Sequence, residues 1–109
     1  MNMFEQLIQT VVDGGHGVRA YDACARAARA RIKDEPENAA ALTLVMYAAQ
    51  GVVEAYDDQP LPVDESEALL DKFREMVALI EGAYKNGSAD AKLAALNTVA
   101  TKLADVSTT

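Results

Sequence analysis

The chain contains one cysteine, one histidine and no tryptophan, and each scarcity closes off a class of chemistry. A lone cysteine, Cys24, permits no intrachain disulfide framework. The lone histidine, His16, has no cysteine or second imidazole near it, which leaves neither a metal-ligand set nor a nucleophile–base pair. Proline is scarce too: three residues, each standing between apolar blocks rather than inside one. No stretch alternates apolar and polar residues with a period of two, so no sheet is expected. The longest apolar run, Ala39 to Val53, is interrupted by Thr43 and Gln50 and falls short of the roughly 20 residues a bilayer span requires. The first residues lack a basic region followed by an apolar core, so no secretory leader is expected and a reducing, cytoplasmic setting is the natural expectation.

What is there favours helix. Half of the 109 residues are hydrophobic, drawn mainly from Ala, Leu, Val and Met rather than aromatics. Ala and Leu head the helix-propensity scale. The expected fold is all-α, one domain over residues 1–109, a compact bundle of four or five helices.

Periodicity divides the chain into five segments. The first runs from Met3 to Asp13, with Phe4, Leu7, Ile8 and Val11 on one face, Asn2 and Glu5 as a capping box and Gly14-Gly15 as the stop. Joined through two glycines, this short helix is free to pack on its own bundle, stay mobile or swap onto a neighbour. The second runs from Val18 to Lys33, with Val18, Tyr21, Ala25, Ala28 and Ile32 opposite a charged stripe. Pro36 marks a restart, and the third helix, Glu37 to Tyr56, is apolar nearly all round, its polar positions Thr43, Gln50 and Glu54 forming one narrow stripe. Such a helix belongs at the centre of the bundle. The loop Asp57 to Val63 holds two prolines, and Asp64 with Glu67 forms a second capping box that opens a helix to Tyr84, carrying Leu69, Leu70, Phe73, Met76, Val77 and Ile80. Asn86-Gly87 ends it and Ser88 caps a last helix whose seam is Leu93, Leu96, Ala100 and Leu103.

Charge is distributed unevenly. The net charge is −7, which argues against general nucleic-acid affinity. Between Arg19 and Lys33 there are five bases and one acid, whereas from Asp34 to Asp71 there are ten acids and no base. The stripe Arg19, Arg26, Arg29 and Lys33 is expected to face acids of the later helices or of a second copy, making a homodimer contact, or else to contact phosphate. The acids Asp57, Asp58, Asp64, Glu65 and Glu67 bracket a loop stiffened by Pro60 and Pro62 that displays Leu61 and Val63. Apolar side chains held on a stiff charged loop lose little entropy on binding, so these seven acidic and apolar residues are the expected docking point for a basic partner. Their spacing does not fit a calcium-binding loop, and no metal or other cofactor is expected. Cys24, between the apolar and charged faces of its helix, reads as a small buried hydrophobe.

Two short segments resemble known families. The run His16-Gly17-Val18-Arg19-Ala20 resembles the histidine phosphotransfer pattern, in which an aliphatic, a basic and a small residue follow the histidine at the second, third and fourth positions. That resemblance implies a phosphorylated His16 with Arg19 beside its phosphate. Ala28 through Pro36 to Ala48 resembles the seam between two tetratricopeptide-type repeats, over about one repeat.

The composite expectation is a non-enzymatic protein-interaction module, an adaptor or a small acidic inhibitor of a larger basic protein, with no catalytic residues. Histidine phosphotransfer through His16 is the alternative, and nucleic-acid binding through the basic stripe a further one.

Overall fold

A computed structural model describes residues 3–56 and 61–107, with side chains described through residue 104. The expected cap at Asn2 and loop residues Asp57, Asp58 and Pro60 lie outside the described residues. Five α-helices follow one another: α1 (Met3–Asp13), α2 (Val18–Asp34), α3 (Ala39–Ala55), α4 (Val63–Asn86) and α5 (Ala89–Ser107). A single 3-10 turn, Pro36–Asn38, precedes α3, and no strand occurs among the described residues. The radius of gyration, 13.3 Å, is what a compact chain of this length should have, about 13 Å.

The α2–α3 pair is the most extensive contact in the molecule. Its residues explain why. The buried positions are Ala20, Tyr21, Cys24, Ala25 and Ala28 on α2, against Ala41, Leu42, Val45, Ala48, Ala49 and Val52 on α3. Most are small, and small side chains let two helix axes approach closely. α3 also meets α4 and α5, while α1 lies against α2 and α4 of its own chain. α1 contributes Phe4, Leu7 and Val11 to the core, and Phe4 meets Tyr84 of α4 edge-on at 5.7 Å between ring centres. Tyr21 meets Phe73 in the same way at 5.6 Å, which ties α2 to α4 across the core.

The turn between α1 and α2 is tightly specified. The amide of His16 reaches back to the Val11 carbonyl at 3.0 Å, and both Gly15 and His16 take left-handed φ, 87° and 62°. Gly14 is required for a different reason: a Cβ there would stand 2.7 Å from the Ala20 Cβ. The hydroxyl of Ser66 in α4 donates to the His16 carbonyl at 3.2 Å and anchors the turn from outside.

Three expectations need adjustment. α4 opens not with an Asp64–Glu67 capping box but with Pro62 at the N-cap position and no side-chain cap. The helix begins as soon as the second proline allows it, with the Ser66 amide bonded to the Pro62 carbonyl at 2.8 Å. Asp64 therefore falls inside the first turn, where a carboxylate favours the helix through its dipole rather than by capping. α3 starts at Ala39, because the 3-10 turn takes up Pro36–Asn38. On α5 the inward seam is Leu96, Val99 and Leu103, while Leu93 is 59% exposed and Ala100 is exposed. Val99 sits between Leu96 and Leu103 at the i, i+3, i+7 spacing of one face, which turns Leu93 and Ala100 outward.

Two helix ends agree with the punctuation. Gly87 adopts φ 79° at the C-terminus of α4, and Ser88 accepts from the Ala91 amide at 3.2 Å to cap α5.

Candidate functional site

The described part of the acidic loop meets α4 at Leu61, half-buried, and Val63, which is 74% exposed. Asp64, Glu65 and Glu67 are all exposed in the first turns of α4. Glu65 is tied down: the Tyr56 hydroxyl donates to its Oε2 at 2.6 Å, bridging the end of α3 to the start of α4. That hydrogen bond, with smaller contributions from burial and from the Glu65 charge, pushes the Tyr56 hydroxyl pKa above its ordinary value. Of the expected docking residues, the structure thus brings together Leu61, Val63, Asp64, Glu65 and Glu67 around one helix start, and Asp57 and Asp58 lie outside its described part.

Beside this acidic start runs a groove of about 590 Å³ between α3 and α4. Tyr47, Ala48, Gly51, Val52 and Ala55 of α3 form one wall; Leu69, Lys72, Phe73 and Met76 of α4 form the other, with Leu103 of α5 also lining it. Gln50, Glu54 and Tyr56 complete it. The walls are mainly apolar, and among the described residues the ionisable side chains in the lining are Glu54, Lys72 and the two tyrosines. Tyr47 is 52% exposed, a large ring on the open side of its helix.

The groove was only half visible in the sequence. The stripe Thr43, Gln50, Glu54 marks the side of α3 that faces away from the core, and Tyr47 lies on that stripe at helical spacing. Leu69 and Met76 belong to the apolar face of α4 but stay partly buried, since the groove lies over them. The signal that could have exposed it is Gly51, a glycine in the middle of an otherwise strong helix.

Of the arrangements expected for the basic stripe, pairing with acids of the later helices does not occur among the described residues. Arg19, Arg26, Arg29 and Lys33 are all exposed, and among the described residues none forms an ion pair with α4 or α5. Arg26 pairs with Asp22 at 3.1 Å one turn back on its own helix. The neighbouring Arg31 reaches Glu35 at 3.0 Å and the side chain of Gln6 in α1. The physical reason is packing: α1 and α3 cover the apolar sides of α2, and α2 makes no close backbone contact with α4 or α5. The stripe is left on the outer face.

His16 lies in the left-handed turn before α2 rather than within a helix, and it is half-buried. Cys24 is fully buried, and burial pushes its thiol up to about 12, which keeps it protonated and unreactive at neutral pH. Among the described residues no three His, Cys, Asp or Glu side chains converge to hold a metal ion, and no helix is long and apolar enough to cross a membrane.

No protein-family model, curated protein or solved structure matches the chain.

Proposed function

We propose that the protein is a non-enzymatic interaction module, an adaptor or a small acidic inhibitor, that engages a larger protein bearing a basic surface. The observation that carries this reading is Val63. A β-branched aliphatic side chain stands 74% exposed in the first turn of α4, next to Asp64 and Glu65 with Glu67 one turn on. An apolar anchor rimmed by charge of one sign is the arrangement that gives a docking surface both contact energy and partner selection. The acids speed encounter with a basic target and disfavour acidic ones, while burial of Val63 and Leu61 lengthens the complex's lifetime.

The test is capture of a partner by the immobilised protein, followed by identification and purification of that partner. The triple variant Asp64→Lys, Glu65→Lys, Glu67→Lys should lose at least about tenfold in affinity for it and keep its helical circular dichroism. Wild-type binding should also weaken steeply between 50 and 300 mM salt, as charge-steered association does. Undiminished binding by a folded triple variant overturns the reading.

A further inference from the structure

We propose that the α3–α4 groove seats one amphipathic helix of the partner, with an aliphatic stripe facing the groove and Lys or Arg on its flank near Tyr56. This rests on the interaction reading above and names what the partner presents.

Length comes first. The α3 wall runs from Tyr47 to Tyr56, and nine steps of helix rise span about 14 Å, or two and a half turns. A helix of that length offers three anchors at i, i+3 or i+4, and i+7, the usual reading frame of helix-in-groove recognition. The groove volume, about 590 Å³, accommodates several such side chains.

The shape of the wall favours a helix over a small amphiphile. A Cβ added at Gly51 would meet no atom of the chain within 4 Å, so nothing in the protein's own packing calls for a glycine there. Glycine is among the least favourable residues in a helix interior. With Ala48 one turn before it and Ala55 one turn after, Gly51 leaves a low floor on which another helix backbone can lie close. Met76, unbranched and partly buried on the opposite wall, can adjust its rotamer to the incoming side chains.

Charge selects the flank. Glu54 lines the groove, and Glu65 is held at its end by the Tyr56 hydroxyl. Among the described residues Lys72 is the only cation in the lining, and no base occurs in the sequence from Asp34 to Asp71. An acidic helix would meet the like charges of Glu54 and Glu65; a basic one finds counter-charges there.

A fluorescein-labelled peptide of about 14 residues serves as the probe, with Leu at positions 3, 7 and 10 and Lys and Arg on the flanks. Fluorescence anisotropy against the full chain should show it binding at least about tenfold more tightly than a scrambled peptide of the same composition, or than a version with Glu in place of Lys and Arg. Gly51→Leu, which fills the groove without meeting its own chain at Cβ, should weaken binding by at least about tenfold and leave the melting temperature equal or higher. Tyr47→Ala, which removes an exposed ring from the groove wall without adding charge, should weaken it as well without a folding defect, whereas Gly82→Ala, outside the groove, should leave it unchanged.

Equal binding of the scrambled peptide, or full affinity in a folded Gly51→Leu variant, overturns the proposal. So does saturable binding of dodecanoate that displaces the peptide, since the groove would then be an amphiphile site. The two readings fail separately. If the α4 charge reversal abolishes capture of the natural partner and Gly51→Leu does not, the interaction module stands and the groove proposal falls. If the charge reversal leaves capture intact, the docking reading falls whatever the peptide does.

Discussion

Tyr21 carries its hydroxyl into the core, where it finds no hydrogen-bond partner among the described residues. A buried hydroxyl without a partner costs free energy, on the order of 1–3 kcal/mol. The ring is a different matter, since its edge-on contact with Phe73 joins α2 to α4. Tyr21→Phe should therefore melt at the same temperature as the wild type or higher, and Tyr21→Ala should lose about 3–5 kcal/mol in urea unfolding. A clear drop for Tyr21→Phe would mean that the oxygen has a partner after all. His16 is the second residue whose backbone decides its worth. A side chain at φ 62° costs about 1–2 kcal/mol, against about 0.5–1 kcal/mol for the extra freedom glycine has when unfolded. His16→Gly should then leave stability unchanged or raise it by up to about 1.5 kcal/mol, measured as a shifted urea midpoint with unchanged slope. The sequence could not disclose this, because His16 sits among glycines that each look equally able to take the left-handed position.

At the scale of the element, the legible features were those set by local chemistry. The ends at Asp13, Asn86 and Ser88 follow from Gly14-Gly15, Gly87 and a serine hydroxyl, all of which act within a few residues of themselves. Ser88→Ala removes the hydroxyl that accepts from the Ala91 amide, and should cost about 1 kcal/mol and speed hydrogen exchange in the first turn of α5. What stayed hidden was decided between elements. The α4 start moved to Val63 because Pro62 can occupy the N-cap without a side-chain bond, and a capping-box pattern cannot announce that it is unused. Leu93 looked like seam and is exposed, because the seam is set by which face of α5 the α3 and α4 surfaces cover. The candidate site divides along the same line. Its acids and Val63 were readable from composition and prolines. The groove was only half so: the polar stripe of α3 marked its outer side, but Leu69, Phe73 and Met76 on the α4 wall look like core until the neighbouring helices are in place.

For the whole molecule, the two most buried titratable groups set how folding responds to alkali. Burial is the largest cause of both shifts: it pushes the Cys24 thiol up to about 12 from about 9, and the Tyr21 hydroxyl up to about 12 from about 10, with the Cys24 charge adding to the latter and Arg74 opposing it. In each case the folded state holds the proton more tightly than the unfolded chain does. The unfolded chain therefore binds fewer protons between about pH 9 and pH 12, and stability falls as pH rises through that window. Below pH 9 the contribution is complete; by pH 12 it is gone. Each group accounts for up to about 1.4 kcal/mol per pH unit while its unfolded form is ionised and its folded form is not. Urea midpoints should consequently be flat from pH 7 to 8.5 and decline increasingly above pH 10, where both groups contribute. The double variant Tyr21→Phe, Cys24→Ala should start from a lower stability, because the thiol packs in the core, yet lose much of the alkaline slope. A thiol reagent offers an independent reading: Cys24 of the folded protein should react only at the rate at which the chain opens, and rapidly in 8 M urea. A wild-type midpoint unchanged up to pH 11.5, or prompt labelling of Cys24 at pH 8, would place the thiol at the surface and undo the packing of α2 against α3 on which the rest of the bundle is built.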